Sequence, residues 1–192
     1  MFLETRKNTV AKLLGDVGKV CMVYHDEHVR NLTSTRIQVD EAWAFIYAKQ
    51  KNVATAKAAP TGAGDIWTWV VMDADTKLVT GYFVGGRDGE CAKWFIEDDA
   101  QRLSNRVQLT SDGHKAYLEV VEGAFGADID YAQLVKLYGA SSESAKGRYS
   151  PADCTGIIKN PIEGKPDPAH ISTCISSAKT LRCVCTCAVS RG

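Results

Sequence analysis

The feature that most constrains the fold of this chain is a change in the spacing of its apolar residues near residue 35. Before it, apolar residues recur at steps of three and four, which predicts a helix over 8–28. The residues of this stripe are Val10, Leu13, Leu14, Val17, Cys21 and Tyr24. After it, Ile37 and Val39 alternate with polar neighbours, which predicts a strand over 36–47.

Strand and helix patterns then follow one another as far as residue 138. The predicted segments are, in order, strands 36–47, 65–72 and 77–84, helix 89–104, strand 107–110, helix 115–125 and strand 129–138, with a small-residue loop over 52–64. Short turns between the first three strands favour an antiparallel meander, and the later strand-helix-strand units add parallel strands. This order predicts an α/β fold with a ribonuclease H-like mixed sheet, preceded by an N-terminal helix.

Composition separates the C-terminal part from this core. Residues 140–173 contain four of the 5 prolines with many serines and glycines, and we expect a loop-like insertion there. Residues 174–192 contain four of the 7 cysteines and are expected to form an irregular tail. Because a secreted disulfide framework would spread its cysteines through the chain, that class of protein is excluded.

The charge balance leaves nucleic acid open as a partner. Lysine plus arginine equals aspartate plus glutamate, 23 against 23, yet DNA binding depends on the local distribution of charge. No apolar run approaches the length of a membrane span, so no membrane partner is expected. The N-terminal segment MFLETRKNTV has no signal-peptide core, which predicts the cytoplasm as the compartment.

Two aspartates are candidates for chemistry. Asp40 lies within the first predicted strand, where a carboxylate is costly to bury without a partner. Asp112 follows the fourth strand and precedes Gly113. Each has a plain alternative, a solvated strand end for Asp40 and an Asp-Gly turn for Asp112. In the predicted sheet, however, the first and fourth strands are neighbours, so the two side chains would face each other. Such a pair suits Mg²⁺ or Mn²⁺, which prefer oxygen ligands.

Four segments give the chain a family resemblance. QVDEAW (38–43), GGRDGE (85–90), LTSDGHKAY (109–117) and DPAHIST (167–173) resemble transposases of the insertion sequence 1 family, and the likeness extends over residues 5–173. The resemblance implies metal-dependent cleavage and transfer of DNA strands at element ends and in target DNA. It also implies that Asp40 and Asp112 are the first two acids of an Asp-Asp-Glu triad. The family resemblance is also compatible with self-association into a homo-oligomer.

The same resemblance implies a role for each region of the chain. Residues 1–33 are similar to the end of the family's helix-turn-helix, whose earlier part would precede residue 1, and 34–139 to its catalytic core. After residue 173 the family continues with a tract similar to SYVERQNLTMRM, whose Glu is the third acid. This chain has CISSAKTLRCVCTCAVSRG instead, without Asp or Glu.

We hypothesise that this tail is a frameshifted version of the family's acid-bearing helix. Codons that encode Cys174–Gly192, read one base out of frame, permit a tract close to the family's own, with the Glu codon straddling Ser176 and Ser177. The cysteines follow, because ATG read one base off supplies the TG that begins a Cys codon. Alternatively Cys183, Cys185 and Cys187 bind zinc or copper, although structural zinc sites favour wider spacings. The gene sequence after codon 173 decides between these readings.

Without the third acid we expect little or no activity, and three readings stay open. The first is an active transposase in which Asp153 or Glu163 substitutes for the missing acid. The second is a non-catalytic DNA-binding remnant that interferes with an intact transposase, and the third is an inert product. Lys146 and Arg148, in the insertion, are candidate contacts for DNA phosphates, although a solvated loop explains them equally well. His114 either touches DNA or water near the metal, or is a surface histidine in a turn.

Overall fold

The computed structural model describes residues 7–139 and 154–173. The helices are α1 (Lys7–His28), α2 (Gln50–Val53), α3 (Gly89–Ala100) and α4 (Ala116–Phe125). The strands are β1 (Arg36–Ile46), β2 (Gly64–Asp73), β3 (Val79–Gly85), β4 (Gln108–Ser111), β5 (Asp130–Tyr138) and β6 (Cys154–Glu163). The predicted helices and the five predicted strands are confirmed with small shifts at their ends, and the short helix α2 begins just before the predicted loop.

The strands form one mixed sheet in the order β3-β2-β1-β4-β5-β6. β2 pairs antiparallel with both β1 and β3, whereas β4 pairs parallel with both β1 and β5. The predicted adjacency of the first and fourth strands is therefore confirmed. The chain belongs to the α/β class, as predicted.

One face of this sheet packs against α3 and α4. Alternate residues of a strand point to the same face, so the apolar positions of β1 and β2 meet the apolar stripes of both helices. The buried residues of this core include Ile37, Val39, Trp69, Val71, Ala92, Phe95, Ile96, Leu109, Tyr117 and Val121. The core extends to Trp69, which lies opposite Glu41, and Trp67 packs against its edge, while β1 and β2 continue further.

The segment 164–173 crosses the opposite face of the sheet. Ile171 is buried there against Ala132 and Leu134 of β5. Gln38 of β1 donates a hydrogen bond of 2.8 Å to Ser172 Oγ. Gln108 of β4 accepts one of 2.9 Å from the backbone N–H of Asp167. These contacts fix the path of the DPAHIST segment across β4 toward β1.

The expectation of a loop over 140–173 is wrong for residues 154–163, which form β6. This strand pairs antiparallel with β5, and Pro161 lies opposite Ala132. Proline and glycine are tolerated here because β6 is an edge strand, where a missing N–H does not interrupt the sheet. Its largely exposed side chains gave no alternating apolar pattern from which the strand could be predicted.

The apolar stripe of α1 is largely exposed, and the helix has no buried residue. Leu13 is 62% exposed and Val20 is 70% exposed. The C-terminal end of the helix is held by polar contacts instead. Asp26 accepts a hydrogen bond of 2.9 Å from Arg102, and His25 Nε2 lies 3.0 Å from the backbone oxygen of Val79. The periodicity thus predicted the helix correctly, while burial of its apolar side is not observed against residues 7–139 and 154–173.

Within those residues, no helix is both long and apolar enough to cross a membrane.

A buried carboxyl group lies between α3 and β3. Asp99 is 1% exposed, and its Oδ1 accepts a hydrogen bond of 2.8 Å from Thr80 Oγ1. Its Oδ2 is buried without a hydrogen-bond partner among the described residues. Burial raises the pKa of Asp99 to about 6, against the opposing effects of Thr80 and of the nearby Arg102. The charged form of Asp99 therefore destabilises the folded state.

We expect this group to make stability fall as pH rises. Because the pKa is higher in the folded than in the unfolded state, the contribution is fully present below pH 3.8 and is lost as pH rises through about 6. Urea unfolding of the protein and of Asp99→Asn at pH 4 and pH 8 measures it. Between the two pH values, the variant should gain about 2 kcal/mol of unfolding free energy relative to the parent, because the unfolded Asp99 is already partly ionised at pH 4. If the variant and the parent differ in unfolding free energy by the same amount at pH 4 and at pH 8, the raised pKa of Asp99 is contradicted.

Candidate active site

The register of β1 and β4 brings Asp40 and Asp112 together. The parallel pairing aligns Gln38 with Thr110, so Asp40 and Asp112 stand at the same level two residues further along. Both side chains line one open pocket of ≈ 590 Å³. The pKa of Asp40 is raised, mainly by burial and further by the negative charge of Asp112. The two candidate residues therefore share a site and influence each other electrostatically.

Local hydrogen bonds fix both aspartates. Asp40 Oδ1 accepts a bond of 2.9 Å from the backbone N–H of Glu41. Asp112 Oδ1 accepts one of 2.9 Å from the backbone N–H of His114, which closes the turn before α4. A Cβ at Gly113 would lie 3.0 Å from a methyl group of Val135, so a larger residue there would require a small shift of that side chain. The Asp-Gly pair is thus a turn as well as part of the pocket.

A series of buried hydrogen bonds leads from β5 to the backbone of Asp112. Gln133 Nε2 donates to the Tyr131 hydroxyl at 2.9 Å, and that hydroxyl lies 2.9 Å from Ser111 Oγ. Ser111 Oγ in turn donates to the backbone oxygen of Asp112 at 2.9 Å. Burial raises the pKa of Tyr131 to about 12, so its hydroxyl keeps its proton. The network connects β5 to the end of β4 and restrains the position of Asp112.

Arg87 supplies a positive charge close to Asp112. It lies between β3 and α3, next to Asp88, which caps α3 by accepting a hydrogen bond of 2.9 Å from the backbone N–H of Cys91. Arg87 Nη2 is 3.1 Å from Glu41 Oε2 and 3.5 Å from Asp112 Oδ2. Its guanidinium also lies over the Trp67 ring, 4.7 Å from the centroid. Arg87 therefore links two carboxylates and an aromatic ring.

Glu41 was not predicted as a member of the site. It follows Asp40 on β1, so it points to the face shared with Ile37 and Val39, and its side chain is 2% exposed. The Tyr117 hydroxyl donates a hydrogen bond to Glu41 Oε1. Burial raises the pKa of Glu41, against the effects of Tyr117 and Arg87. The alternation of β1 indicated its face, but not its partners, which come from distant parts of the chain.

His114 forms part of the pocket wall rather than a free surface turn. Its ring makes edge contacts with Trp69 and Tyr117, at centroid distances of 6.0 and 5.9 Å. Its Nδ1 is buried and has no hydrogen-bond partner among residues 7–139 and 154–173. Burial lowers the pKa of His114, and the positive charge of Arg87 lowers it further.

Two lysines that were not predicted as site residues border the pocket. Lys115 and Lys136 both border it, and Lys136 lowers the pKa of Asp40. Lys159 lies on β6 and donates a hydrogen bond of 2.6 Å to the backbone oxygen of Pro168. The predicted DNA contacts Lys146 and Arg148 lie outside the described residues.

The oxygen donors of Asp40 and Asp112 fit a hard divalent cation such as Mg²⁺ or Mn²⁺. The two side chains share a pocket, and the negative charge of Asp112 adds to the effect of burial in raising the pKa of Asp40. In the described part of the chain, no group of three or more His, Cys, Asp and Glu side chains could hold a metal ion. Within the described residues, the pocket brings together two carboxylates, those of Asp40 and Asp112.

We expect the contact between Arg87 and Glu41 to be energetically coupled. Arg87→Gln leaves the buried Glu41 carboxylate without its charged partner, which should cost about 1–3 kcal/mol of unfolding free energy. In a Glu41→Gln background the same change should cost less, because no buried charge is then stranded. Urea unfolding of the four proteins of this cycle provides the measurement. Strictly additive losses would show that the two side chains do not interact.

Comparisons with known proteins give little beyond this geometry. No protein-family model matches the chain, and no curated protein matches it. Among solved structures it is similar to the crystal structure of an endonuclease V from Bacillus subtilis, with 14% sequence identity and a TM-score of 0.27. The similarity covers 73% of this chain and 60% of that protein. A likeness this distant assigns neither a fold family nor an activity to the chain.

Proposed function

We propose that this chain derives from a DDE-type transposase of a bacterial insertion element, and that the pocket of Asp40 and Asp112 is its site for cleaving and joining DNA strands. The observation that carries the proposal is that Asp40 and Asp112 line one pocket, two residues beyond the last parallel pair of β1 and β4, Gln38 and Thr110. The sheet order, with antiparallel β1 to β3 and parallel β4 and β5, supports a ribonuclease H-like assignment. The four segments that resemble insertion sequence 1 transposases support the family.

The chain's own residues would share the work of binding a DNA phosphate. Asp40 and Asp112 would hold Mg²⁺ or Mn²⁺, which would supply the charge that polarises the phosphodiester and its attacking oxygen. Lys115 and Lys136 line the same pocket and would attract the phosphate of the DNA strand. Arg87 would hold Asp112 in place through the contact that it also makes with Glu41.

The position of Thr173 supports the frameshift hypothesis. This residue lines the acid pocket and is only 7% exposed. In the restored frame the third acid would come four residues later, at about 6 Å along a helix. A helix leaving Thr173 could thus bring its glutamate to the two aspartates. The present tail, 174–192, has no Asp or Glu, so we propose that the chain as written cleaves DNA poorly or not at all.

A strand-cleavage assay tests this function. The chain as written and a chain in the restored frame are incubated with DNA carrying the sequences that flank the gene, with Mg²⁺, with Mn²⁺ and with EDTA. We expect the chain in the restored frame to cleave the DNA when a divalent metal is present, and the chain as written not to cleave it. Cleavage by the chain as written would favour a substitute acid. Failure of both, together with a gene in which no single-base shift encodes the missing glutamate, would defeat the proposal.

A gel-shift measurement on the same DNA separates the two remaining readings. Binding without cleavage by the chain as written favours a DNA-binding remnant, and the pocket lysines Lys115 and Lys136 favour this reading over an inert product. Adding the chain as written to the restored chain then shows whether it interferes with cleavage.

A further inference from the structure

An aromatic surface continues β1 and β2 beyond the core. Trp43 and Phe45 point to one face of β1 and are 40% and 45% exposed, with ring centroids 5.8 Å apart. Trp67 of β2 lies directly opposite Trp43 and is half-buried. Trp67 packs partly against the core between the sheet and the helices, whereas Trp43 and Phe45 of the neighbouring strand stay exposed. We call Trp43, Phe45 and Trp67 the hairpin aromatics.

Positive charges accompany these rings. Lys49 Nζ lies over the Trp43 ring, 4.9 Å from its centroid, and Arg87 lies over Trp67 at 4.7 Å. The connection between β1 and β2, residues 47–63, contains three lysines and no acidic residue. A surface of this charge does not suit a purely apolar partner. It complements a polyanion that also presents flat rings.

The hairpin aromatics adjoin the acid pocket. Arg87 lies over Trp67 and also lines the pocket with Asp40 and Asp112. Asp40 points to the face of β1 opposite to Trp43, but Arg87 contacts Glu41 on the aromatic face and also Asp112 of the pocket. A nucleotide strand that runs from Asp112 past Arg87 would bring its neighbouring bases to these rings. Bases in an intact duplex are already stacked on each other, so only unpaired or flipped bases could use the rings.

We propose that the hairpin aromatics bind unpaired nucleobases of the DNA strand whose phosphate lies in the acid pocket. Lys49 and Arg87 balance the charge of the flanking phosphates. This inference rests on the proposed function for the identity of the strand as DNA. Stacking on aromatic side chains depends little on sequence, because every base presents a π-face.

Binding by the full chain as written tests the inference without requiring catalysis. The probe is a fluorescently labelled single-stranded 12-mer of mixed sequence, with the matching duplex for comparison, followed by fluorescence anisotropy. We expect Trp43→Ala to weaken binding of the single strand about 5- to 150-fold and to leave duplex binding within about twofold. Trp43→Phe should retain most of the affinity.

Trp94→Ala is the matched control, because Trp94 is 62% exposed on α3 and lies outside the hairpin aromatics. It should not change binding. A second readout uses 2-aminopurine within the single strand, whose fluorescence should be quenched by the parent chain and less by Trp43→Ala. The inference is overturned if Trp43→Ala binds the single strand as the parent does, or if it weakens duplex binding equally. It is also overturned if Trp43→Ala leaves DNA binding unchanged and alters only the molecular mass measured by sedimentation. That result would indicate that the surface binds another protein chain.

The experiment also separates this inference from the proposed function. If the restored chain does not cleave DNA but the chain as written shows the expected losses, the stacking surface stands and the transposase assignment fails. If the restored chain cleaves DNA while Trp43→Ala leaves single-strand binding unchanged, the assignment stands and the stacking surface fails.

Discussion

In a chain with the restored reading frame, Asp40→Asn and Asp112→Asn should each lower metal-dependent strand cleavage about a thousandfold. The amide keeps the shape of the side chain but removes the negative charge that a divalent cation requires. Loss of several kcal/mol of charge stabilisation in the transition state corresponds to this factor. Both side chains line the pocket, so the loss of either would remove one of the two carboxylates proposed to hold the cation. Single-turnover cleavage with saturating Mn²⁺ measures the effect.

Asp128→Asn is the control for this pair of variants. Its side chain is 81% exposed and contacts Arg106 at 3.4 Å, away from the pocket residues. It should cleave DNA at the parent rate. Binding of Mn²⁺, followed by its effect on water proton relaxation, should weaken in Asp40→Asn and Asp112→Asn but not in Asp128→Asn. Parent-like cleavage by either pocket variant would remove the acids from the mechanism.

The largest expected change in stability comes from Trp69→Ala. Trp69 is 0% exposed and lies where β2 meets both helices, with its ring 5.7 Å from that of Phe95 and 5.8 Å from that of Tyr117. Its Nε1 also donates a hydrogen bond of 3.0 Å to the backbone oxygen of Gly86. Removing a buried tryptophan leaves a cavity and should cost about 3–5 kcal/mol of unfolding free energy. That is a large share of the stability of an ordinary domain.

Urea unfolding followed by far-UV circular dichroism provides the measurement. Trp94→Ala controls for the loss of an exposed indole on the neighbouring helix and should change stability by less than about 0.5 kcal/mol. Trp69→Phe should have an intermediate effect, because it keeps a ring but loses the bond to Gly86. Equal effects of the substitutions at 69 and 94 would contradict the position of Trp69 in the core.

The candidate site shows which of its residues local sequence patterns could predict. The strand pattern around Asp40 and the Asp-Gly turn at 112, together with the order of elements, predicted that the two acids adjoin. The prediction succeeded because parallel neighbours in a sheet follow from chain order and from the short connections. Glu41 and Arg87 could not be found in this way, since their contact joins β1 to the turn before α3, 46 residues away. No spacing rule encodes such a contact.

The C-terminal region shows the opposite case. Prolines and glycines favoured a loop over 154–163, yet the segment is an edge strand, because hydrogen bonding to β5 outweighs a weak intrinsic preference. Likewise the stripe of α1 predicted a helix but not that its apolar side would be largely exposed. Periodicity reports the conformation of a segment, whereas burial depends on what lies beside it.

Apart from the short helix α2, the sequence alone determined the kind and order of the elements up to β5, because the spacing of apolar residues is a local property of helices and strands. It also determined that the strand of Asp40 and the strand that ends just before Asp112 are neighbours, since that adjacency follows from the order. Only the tertiary structure decided which charges meet these acids, that 164–173 leads Thr173 to their pocket, and that the hairpin aromatics extend past the core. These features depend on distances between residues far apart in the chain, and such distances are set by packing.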